Sequence, residues 1–266
     1  MKFVGMLWLL CSTWSLAAEP VLTLVHGGQS KAWTLAQLKQ QLAVQQVSLD
    51  DPSYNQPKSY RGFAFKQLLA SAGFPELNGD DTLVLTASDG YAPTLSAQLL
   101  TKQQPMLVFA EADKPDFSFT PLQQGKGMLS PAPFYLVWPG AGKAAEQYAW
   151  PYQLVKIELI RFSDRYAQVI PPGTASAQVQ QGFALFKQNC LKCHSINLQG
   201  GVLGPELNAP KNVTEYWQLH DLKAFIRNPE SYRYQSKMPA FSHFSDADID
   251  AVLAYLQQMK QQKLVR

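Results

Sequence analysis

The sequence reads CLKCH at residues 190–194, with two residues between the cysteines and a histidine directly after them. The chain of 266 residues has three cysteines, and two of them, Cys190 and Cys193, stand here with His194 directly behind them. Two sulfurs and an imidazole within five residues can all reach one ligand. This stretch is therefore the first candidate for a functional site.

The third cysteine, Cys11, lies in an apolar N-terminal segment. Lys2 precedes an apolar run that is too short for a permanent membrane span, and the small residues near Ala17 are typical of a signal-peptidase site. Residues 1–18 are therefore predicted to be a secretory signal peptide, cleaved after Ala17 or Ala18 and carrying Cys11 with it. A buried first element and an uncleaved membrane anchor are the alternatives.

Export places the mature chain in the periplasm, an oxidising compartment where a free pair of neighbouring cysteines would not persist. Four uses of the pair compete. A zinc site usually needs a second cysteine pair, which the sequence lacks. A thioredoxin-like redox pair sits between a strand and a helix, and a disulfide here would close a tiny loop and stabilise little. Covalent attachment of one haem c, through the pattern C-x-x-C-H, uses all three side chains.

In the haem interpretation, Cys190 and Cys193 form thioethers and His194 is the proximal ligand of the iron. Met238 is the predicted sixth ligand, because the proline after it stiffens a loop that can point the sulfur inward, and a thioether raises the potential. His243 is the rival, and ligation by two histidines would lower the potential.

Three helices are predicted around this motif. Residues 176–189 carry apolar side chains at helical spacing and run directly into the first cysteine. Residues 214–229 predict a middle helix that stops before its final proline. Residues 245–262 begin with Ser245 and Asp248, spaced as a capping box, and continue with an apolar stripe.

The order of these features resembles that of the class I c-type cytochromes. The resemblance covers residues 175–262 and includes the first helix, CLKCH, the segment GPEL at 204–207, the middle helix, KMPAF at 237–241 and the last helix. It implies an all-α cytochrome c fold for this region. It also implies that the carbonyl of Pro205, in GPEL, accepts a hydrogen bond from the proximal imidazole.

The same resemblance implies a close crossing of the first and last helices. Gly182 and Phe186 would form the first half of the crossing, with Val252 and Tyr255 as their partners. A glycine suits this place because it lets two helix backbones touch.

The preceding segment, residues 19–165, mixes strand and helix patterns. Asp89-Gly90 predicts a turn, and Thr34 is the expected cap of the first helix. Five strands are predicted within 21–26, 82–88, 105–111, 134–139 and 152–162, and two helices within 33–42 and 65–74. These elements predict an α+β domain with a mostly antiparallel or mixed sheet.

Two stretches of this segment resemble the molybdopterin-binding domain of the sulfite oxidase family. One is YRGFAFKQLLASAGF at 60–74 with the strand that follows it, and the other is GKGMLSPAPFYLVWPGAG at 125–142. That family binds molybdenum through a cysteine thiolate, yet residues 19–166 contain no cysteine. A soft metal site without its thiolate would need another ligand. We therefore expect a domain that keeps the sulfite-oxidase-like fold and lacks molybdopterin.

The predicted organisation is a signal peptide at 1–18, the α+β domain at 19–165, a linker at 166–174 and the cytochrome c domain at 175–266. A formal net charge of +3 gives no indication of nucleic-acid binding. The predicted function is that of an exported monohaem cytochrome that passes single electrons between periplasmic redox proteins, without catalytic residues and without a permanent membrane span. The first domain would serve in docking or ligand binding. A molybdenum-dependent, sulfite-dehydrogenase-like enzyme and a haem-based sensor are the alternatives.

Overall fold

The computed structural model describes residues 19–124, 127–142 and 148–264. It consists of a sheet-rich N-terminal part followed by a helical C-terminal part, which confirms the predicted order of an α+β region and an all-α region. The predicted signal peptide at 1–18 lies outside the described residues. None of the helices within the described ranges is long and apolar enough to cross a membrane.

The N-terminal part contains eleven strands and four short helices within the described residues. In chain order they are β1 (Val21–His26), β2 (Gln29–Thr34), α1 (Leu35–Gln41), β3 (Gln45–Asp51), β4 (Gln56–Ala64), α2 (Phe65–Ser71), β5 (Asp81–Ala87), β6 (Thr94–Ser96), α3 (Ala97–Lys102), β7 (Met106–Glu111), β8 (Leu122–Gln124), β9 (Gly127–Leu129), β10 (Tyr135–Val137), β11 (Leu154–Arg161) and α4 (Phe162–Arg165).

These strands form two main sheets. The first has the order β2-β1-β11-β5-β6, and the pairing of β1 with β11 is its only parallel one. The second is antiparallel, with the order β10-β7-β4-β3. Strands β8 and β9 form a separate hairpin. The sequence predicted a mostly antiparallel or mixed sheet but not its division into two.

The main core of this part lies between the two sheets. Leu85 and Ile157, which are register partners on the first sheet, share one buried cluster with Leu107 and Phe109 of the second. Helices α1 and α2 add apolar side chains, such as Leu38, to the same cluster. Helix α1 begins at the predicted cap, where Thr34 and Gln37 form a capping box.

The first sheet also has an apolar outer face. Because successive side chains of a strand point to opposite faces, Val84 faces away from Leu83 and Leu85. Val84, Ile160 and the following Phe162 belong to the buried cluster of the C-terminal part. The first sheet is therefore covered on both sides, by the second sheet and by the helical region.

The C-terminal part is built on three helices. They are α5 (Ala177–Asn189), α6 (Leu219–Arg227) and α7 (Asp246–Met259), and a two-residue hairpin of β12 (Ser195–Ile196) and β13 (Gln199–Gly200) follows the CLKCH stretch. Helix α7 begins at the predicted capping box of Ser245 and Asp248. The prediction for the middle helix was wrong at its start: Asn212 caps a short 3-10 turn at Val213–Glu215, and α6 begins only after it.

Helices α5 and α7 touch at Gly182, as the resemblance implied. A Cβ atom on Gly182 would lie 1.9 Å from the carbonyl oxygen of Ala251 and 3.0 Å from Cβ of Tyr255. The Tyr255 ring packs against Phe183 and Phe186, with ring centroids 5.6 and 5.1 Å away. The nearest backbone partner of Gly182 is thus Ala251, the residue before the expected Val252.

The segment expected to be a linker is packed against the helical part. Tyr166 and Val169 are buried in its cluster, and the Tyr255 hydroxyl donates a 2.7 Å hydrogen bond to the carbonyl of Val169. The side-chain amide of Asn197 donates to the carbonyl of Gln168 at 3.1 Å. These contacts fix the connection between the two parts.

We expect Gly182→Ala to lower the free energy of unfolding by about 1–3 kcal/mol, because the added methyl group meets the Ala251 backbone, which cannot move away alone. Urea unfolding followed by circular dichroism measures this. Gly173→Ala is the matched control: a Cβ there meets no atom within 4 Å, so it should stay within about 0.5 kcal/mol of the parent. Equal urea midpoints for the two variants would contradict a tight crossing.

Candidate functional site

The CLKCH stretch forms one compact turn at the end of α5. Cys190 caps the helix, and its amide donates to the carbonyl of Phe186 at 2.8 Å. The carbonyl of Cys190 then accepts from the amides of Cys193 and His194, at 3.0 and 2.9 Å. The chain therefore continues to turn after the helix and carries both cysteines and the histidine on that turn.

Cys190 and Cys193 are free, partly buried thiols. Burial raises the pKa of both, and most strongly that of Cys190. A thiol that stays protonated is a weak nucleophile for disulfide exchange. The pair also follows a helix and does not stand between a strand and a helix, so the setting differs from that of a thioredoxin-like motif.

The ring of His194 has a fixed orientation. Its Nδ1 lies 2.9 Å from the carbonyl oxygen of Pro205, and because a carbonyl only accepts, Nδ1 carries the hydrogen and Nε2 keeps its lone pair. The ring packs on Gly204, where a Cβ would lie 2.5 Å from Cε1. Burial lowers the pKa of His194 more than the Pro205 carbonyl and Glu206 raise it. Burial thus favours the neutral imidazole, the form that binds metals.

Glu206 holds the loop that carries Pro205. Its Oε1 accepts hydrogen bonds from the amides of Asn197, Asn208 and Ala209 at 2.8–2.9 Å, and its Oε2 accepts from the amide of Leu198 at 2.9 Å. Burial raises the pKa of Glu206, but these amides lower it by more, so the net pKa lies below its usual value. Sequence reasoning missed this role, although Glu206 stands inside the quoted GPEL.

Three buried asparagines connect the same loop to the end of α7. The side-chain amide of Asn212 donates to Asn208 Oδ1 and to the carbonyl of Leu256. The side-chain amide of Asn208 donates to Asn197 Oδ1 and to the carbonyl of Met259. They thereby bind two carbonyls near the C-terminal end of α7. The sequence alone does not predict this role, because it does not distinguish a buried, hydrogen-bonded asparagine from one in an exposed loop.

Met238 lies in an irregular loop and is half-buried. It packs against the buried cluster of the helical part, which Cys190 also contacts. Its amide lies 3.3 Å from Ser236 Oγ, which accepts the hydrogen bond and tightens the loop. His243 is exposed and sets its ring edge-on against Phe244, 4.9 Å away. Met238 is therefore the more buried of the two candidate sixth ligands.

A cavity of about 730 Å³ lies beside the Met238 loop. Residues of β9, including Met128, form one wall, and residues 228–230 and 235–240 form the other. The β8–β9 hairpin of the sheet-rich part therefore stands opposite the Met238 loop.

The donor set fits a covalently bound haem. Two protonated thiols, an imidazole with a free Nε2 and a thioether are the groups that a c-type haem uses for attachment and iron binding. Gly204 leaves room for the imidazole ring, which a side chain at that position would fill. Within the described ranges, no three His, Cys, Asp or Glu side chains lie together as a metal site, so the ligand set of a structural zinc ion is not found there.

Comparison with known proteins agrees with this geometry. The family model described as "Cytochrome c" matches residues 179–260. The chain is 29% identical over 132 residues to "Cytochrome c oxidase subunit 2" of Alkalihalophilus pseudofirmus, covering 45% of this chain and 39% of that protein. It is 31% identical over 88 residues to "Cbb3-type cytochrome c oxidase subunit CcoP" of Azospirillum brasilense, covering 32% of this chain and 30% of that protein.

A third relative is "Cytochrome c" of Theileria parva, 31% identical over 107 residues, which represent 34% of this chain and 90% of that protein. The chain spans well under half of the two oxidase subunits but nearly all of this shorter relative. The family model covers the three helices and the segments that carry the site residues. Through this C-terminal part, the chain belongs to the cytochrome c family.

Proposed function

We propose that the protein is an exported, periplasmic monohaem cytochrome that passes single electrons between redox proteins. Cys190 and Cys193 would bind the haem covalently, and His194 and Met238 would bind its iron. The observation that carries the proposal is the hydrogen bond from His194 to Pro205, because it leaves Nε2 as the one free lone pair of the ring. Haem c, when bound, supplies the one-electron couple.

The sheet-rich part would be a separate domain, residues 19–165, joined by the linker at 166–174 to the cytochrome domain at 175–266. We propose that it keeps the sulfite-oxidase-like fold without molybdopterin, since residues 19–166 contain no cysteine to bind molybdenum. Its role would be docking or ligand binding and not catalysis.

Partners are proposed from the family and from the site. A cytochrome c exchanges electrons with other redox proteins, and two of the relatives are oxidase subunits by name. We therefore propose a donor or acceptor that also serves a cytochrome c oxidase.

Covalent haem and the metal content test the function together. The purified protein should keep its haem stain after denaturing electrophoresis and contain one iron and no molybdenum per chain, when made in cells that can supply both cofactors. Cys190→Ala together with Cys193→Ala should abolish the stain, because no sulfur is left to form a thioether. Stoichiometric molybdenum would instead favour an enzyme of the sulfite oxidase kind.

Replacement of Met238 by alanine should lower the midpoint potential by on the order of 100 mV, a modest part of the roughly 0.8 V range that axial ligands span. It should also remove the weak sulfur-to-iron band of the oxidised protein and let carbon monoxide bind the reduced form. Spectroelectrochemical titration measures the potential.

The matched controls for Met238→Ala are Met128→Ala, which removes an exposed thioether beside the same cavity, and His243→Ala. Both should keep the band and the potential. A shift on His243→Ala, with none on Met238→Ala, would identify a low-potential bis-histidine protein.

Glu206→Gln should destabilise the fold by about 1.5–3 kcal/mol at neutral pH, because an amide nitrogen would face the backbone amide of Leu198. The folded pKa of Glu206 is below its ordinary value of 4.5. Its contribution is therefore present above that pH and is lost as the pH falls through the folded pKa. The difference in the free energy of unfolding between parent and variant should be constant near neutral pH and shrink below about pH 4.5.

Urea midpoints from pH 3 upward measure this gap. The exposed Glu230 gives the control, and Glu230→Gln should remain within about 0.5 kcal/mol of the parent. A gap for Glu206→Gln that persists unchanged into acid would show that the ionised carboxylate does not hold the loop.

A further inference from the structure

The turn that follows β5 lies against the CLKCH turn. Its residues are 88–92, with Asp89-Gly90 at the tip, and we name it the cover turn. The amide of Ala92 donates to the carbonyl of Lys192 at 2.8 Å, and the amide of Val202 donates to the carbonyl of Gly90 at 3.2 Å. The sheet-rich part thus forms one backbone hydrogen bond with the stretch between the two cysteines and one with Val202 in the loop that follows.

The hydrogen bond to the Lys192 carbonyl differs from those to the other carbonyls of the CLKCH turn in where its donor comes from. The carbonyl of Cys190 accepts from within the turn, that of Leu191 from the amide of Gly201 at 2.8 Å, and that of Cys193 from the amide of Gly204 at 2.7 Å. All of these donors belong to the helical part. The carbonyl of Lys192 accepts from the cover turn, so the first domain completes the hydrogen bonding of the attachment stretch.

Gly90 fits this contact through its lack of a side chain. Its φ is +90°, a conformation that L side chains rarely adopt, and a Cβ there would lie 2.6 Å from Cγ2 of Val202. The next nearest atoms would be 3.5 Å away, which is ordinary contact. The approach of the cover turn is therefore limited by one methyl group of Val202.

The surroundings hold the cover turn in place. The Asp89 carboxylate accepts from the amide of Tyr91 at 3.0 Å, which stabilises the turn. Burial raises the pKa of the Tyr91 hydroxyl, and the Cys193 thiol raises it further. Ala92, at the end of the turn, packs against the buried cluster that both parts share.

We propose that the cover turn of the first domain is a fixed shield over the Cys193 side of the haem-attachment stretch, which keeps water away from that edge of the cofactor. The proposal rests on the haem attachment proposed above. Excluding water disfavours the more highly charged oxidised state, so the shield would raise the potential. External redox partners would then approach the cytochrome domain from another side.

Gly90→Ala tests the shield, because the φ of +90° and the 2.6 Å approach to Val202 Cγ2 both oppose a side chain at this position. We expect a lower midpoint potential and an Ala92 amide that exchanges its hydrogen on the order of tenfold faster. Gly79→Ala is the matched control: Gly79 lies before the other end of β5, its φ is +53°, and a Cβ there meets nothing within 4 Å. It also places alanine at a positive φ, but away from the CLKCH turn, and should leave both readouts at the parent values.

The double variant Gly90→Ala with Val202→Ala removes the clashing methyl group and should restore the potential and the exchange rate toward those of Val202→Ala alone. If Gly90→Ala does not fold, recovery of folded protein in the double variant supports the contact, and failure to recover contradicts it. An unchanged potential and an unchanged Ala92 exchange rate in folded, haem-loaded Gly90→Ala would refute the shield. A parent without covalent haem would refute the proposed function itself, which the haem stain distinguishes.

Discussion

The close crossing of α5 and α7 at Gly182 is the contact on which the rest of the molecule depends. It fixes the direction in which α5 ends, and Cys190 caps that end. It also places Tyr255 between two phenylalanine rings, from where its hydroxyl reaches the carbonyl of Val169 in the connecting segment. One point of backbone contact therefore positions both the CLKCH turn and the connecting segment.

The site combines this apolar crossing with a polar network on the His194 side. The Glu206 carboxylate accepts hydrogen bonds from four backbone amides. Three asparagines link its loop to carbonyls near the end of α7. Buried polar groups are costly when a partner is missing, whereas a network with its partners in place specifies one arrangement. The carbonyl of Pro205 is thus held at a defined place opposite the imidazole.

Sequence reasoning succeeded where a local signal was strong. The spacing of CLKCH, the capping residues Thr34 and Ser245, and the Asp89-Gly90 turn each act through neighbours a few residues away. It failed where the deciding contact is distant along the chain. No local sequence pattern indicates the parallel pairing of β1 with β11 or the division into two sheets. The same holds for the hydrogen bond from the cover turn to the Lys192 carbonyl.

Local competition explains the remaining error in the middle helix. Asn212 caps a short 3-10 turn, and its amide at the same time reaches the end of α7. The chain therefore uses residues with helical character in that turn, and α6 starts later. Glu206 was overlooked for a related reason: four of its partners are backbone amides, which any residue type supplies and no sequence pattern reveals.

The place of β11 in the first sheet has a consequence for the order of assembly during synthesis. Without β11, that sheet consists of two unconnected hairpins, β1–β2 and β5–β6, because β11 is the strand between them. The sheet closes only after residues 154–161 are available, more than a hundred residues after β1. Pairings of such sequence separation form slowly, since the intervening chain must be ordered first. The sheet-rich part therefore cannot close its first sheet until the residues shortly before α5 have emerged.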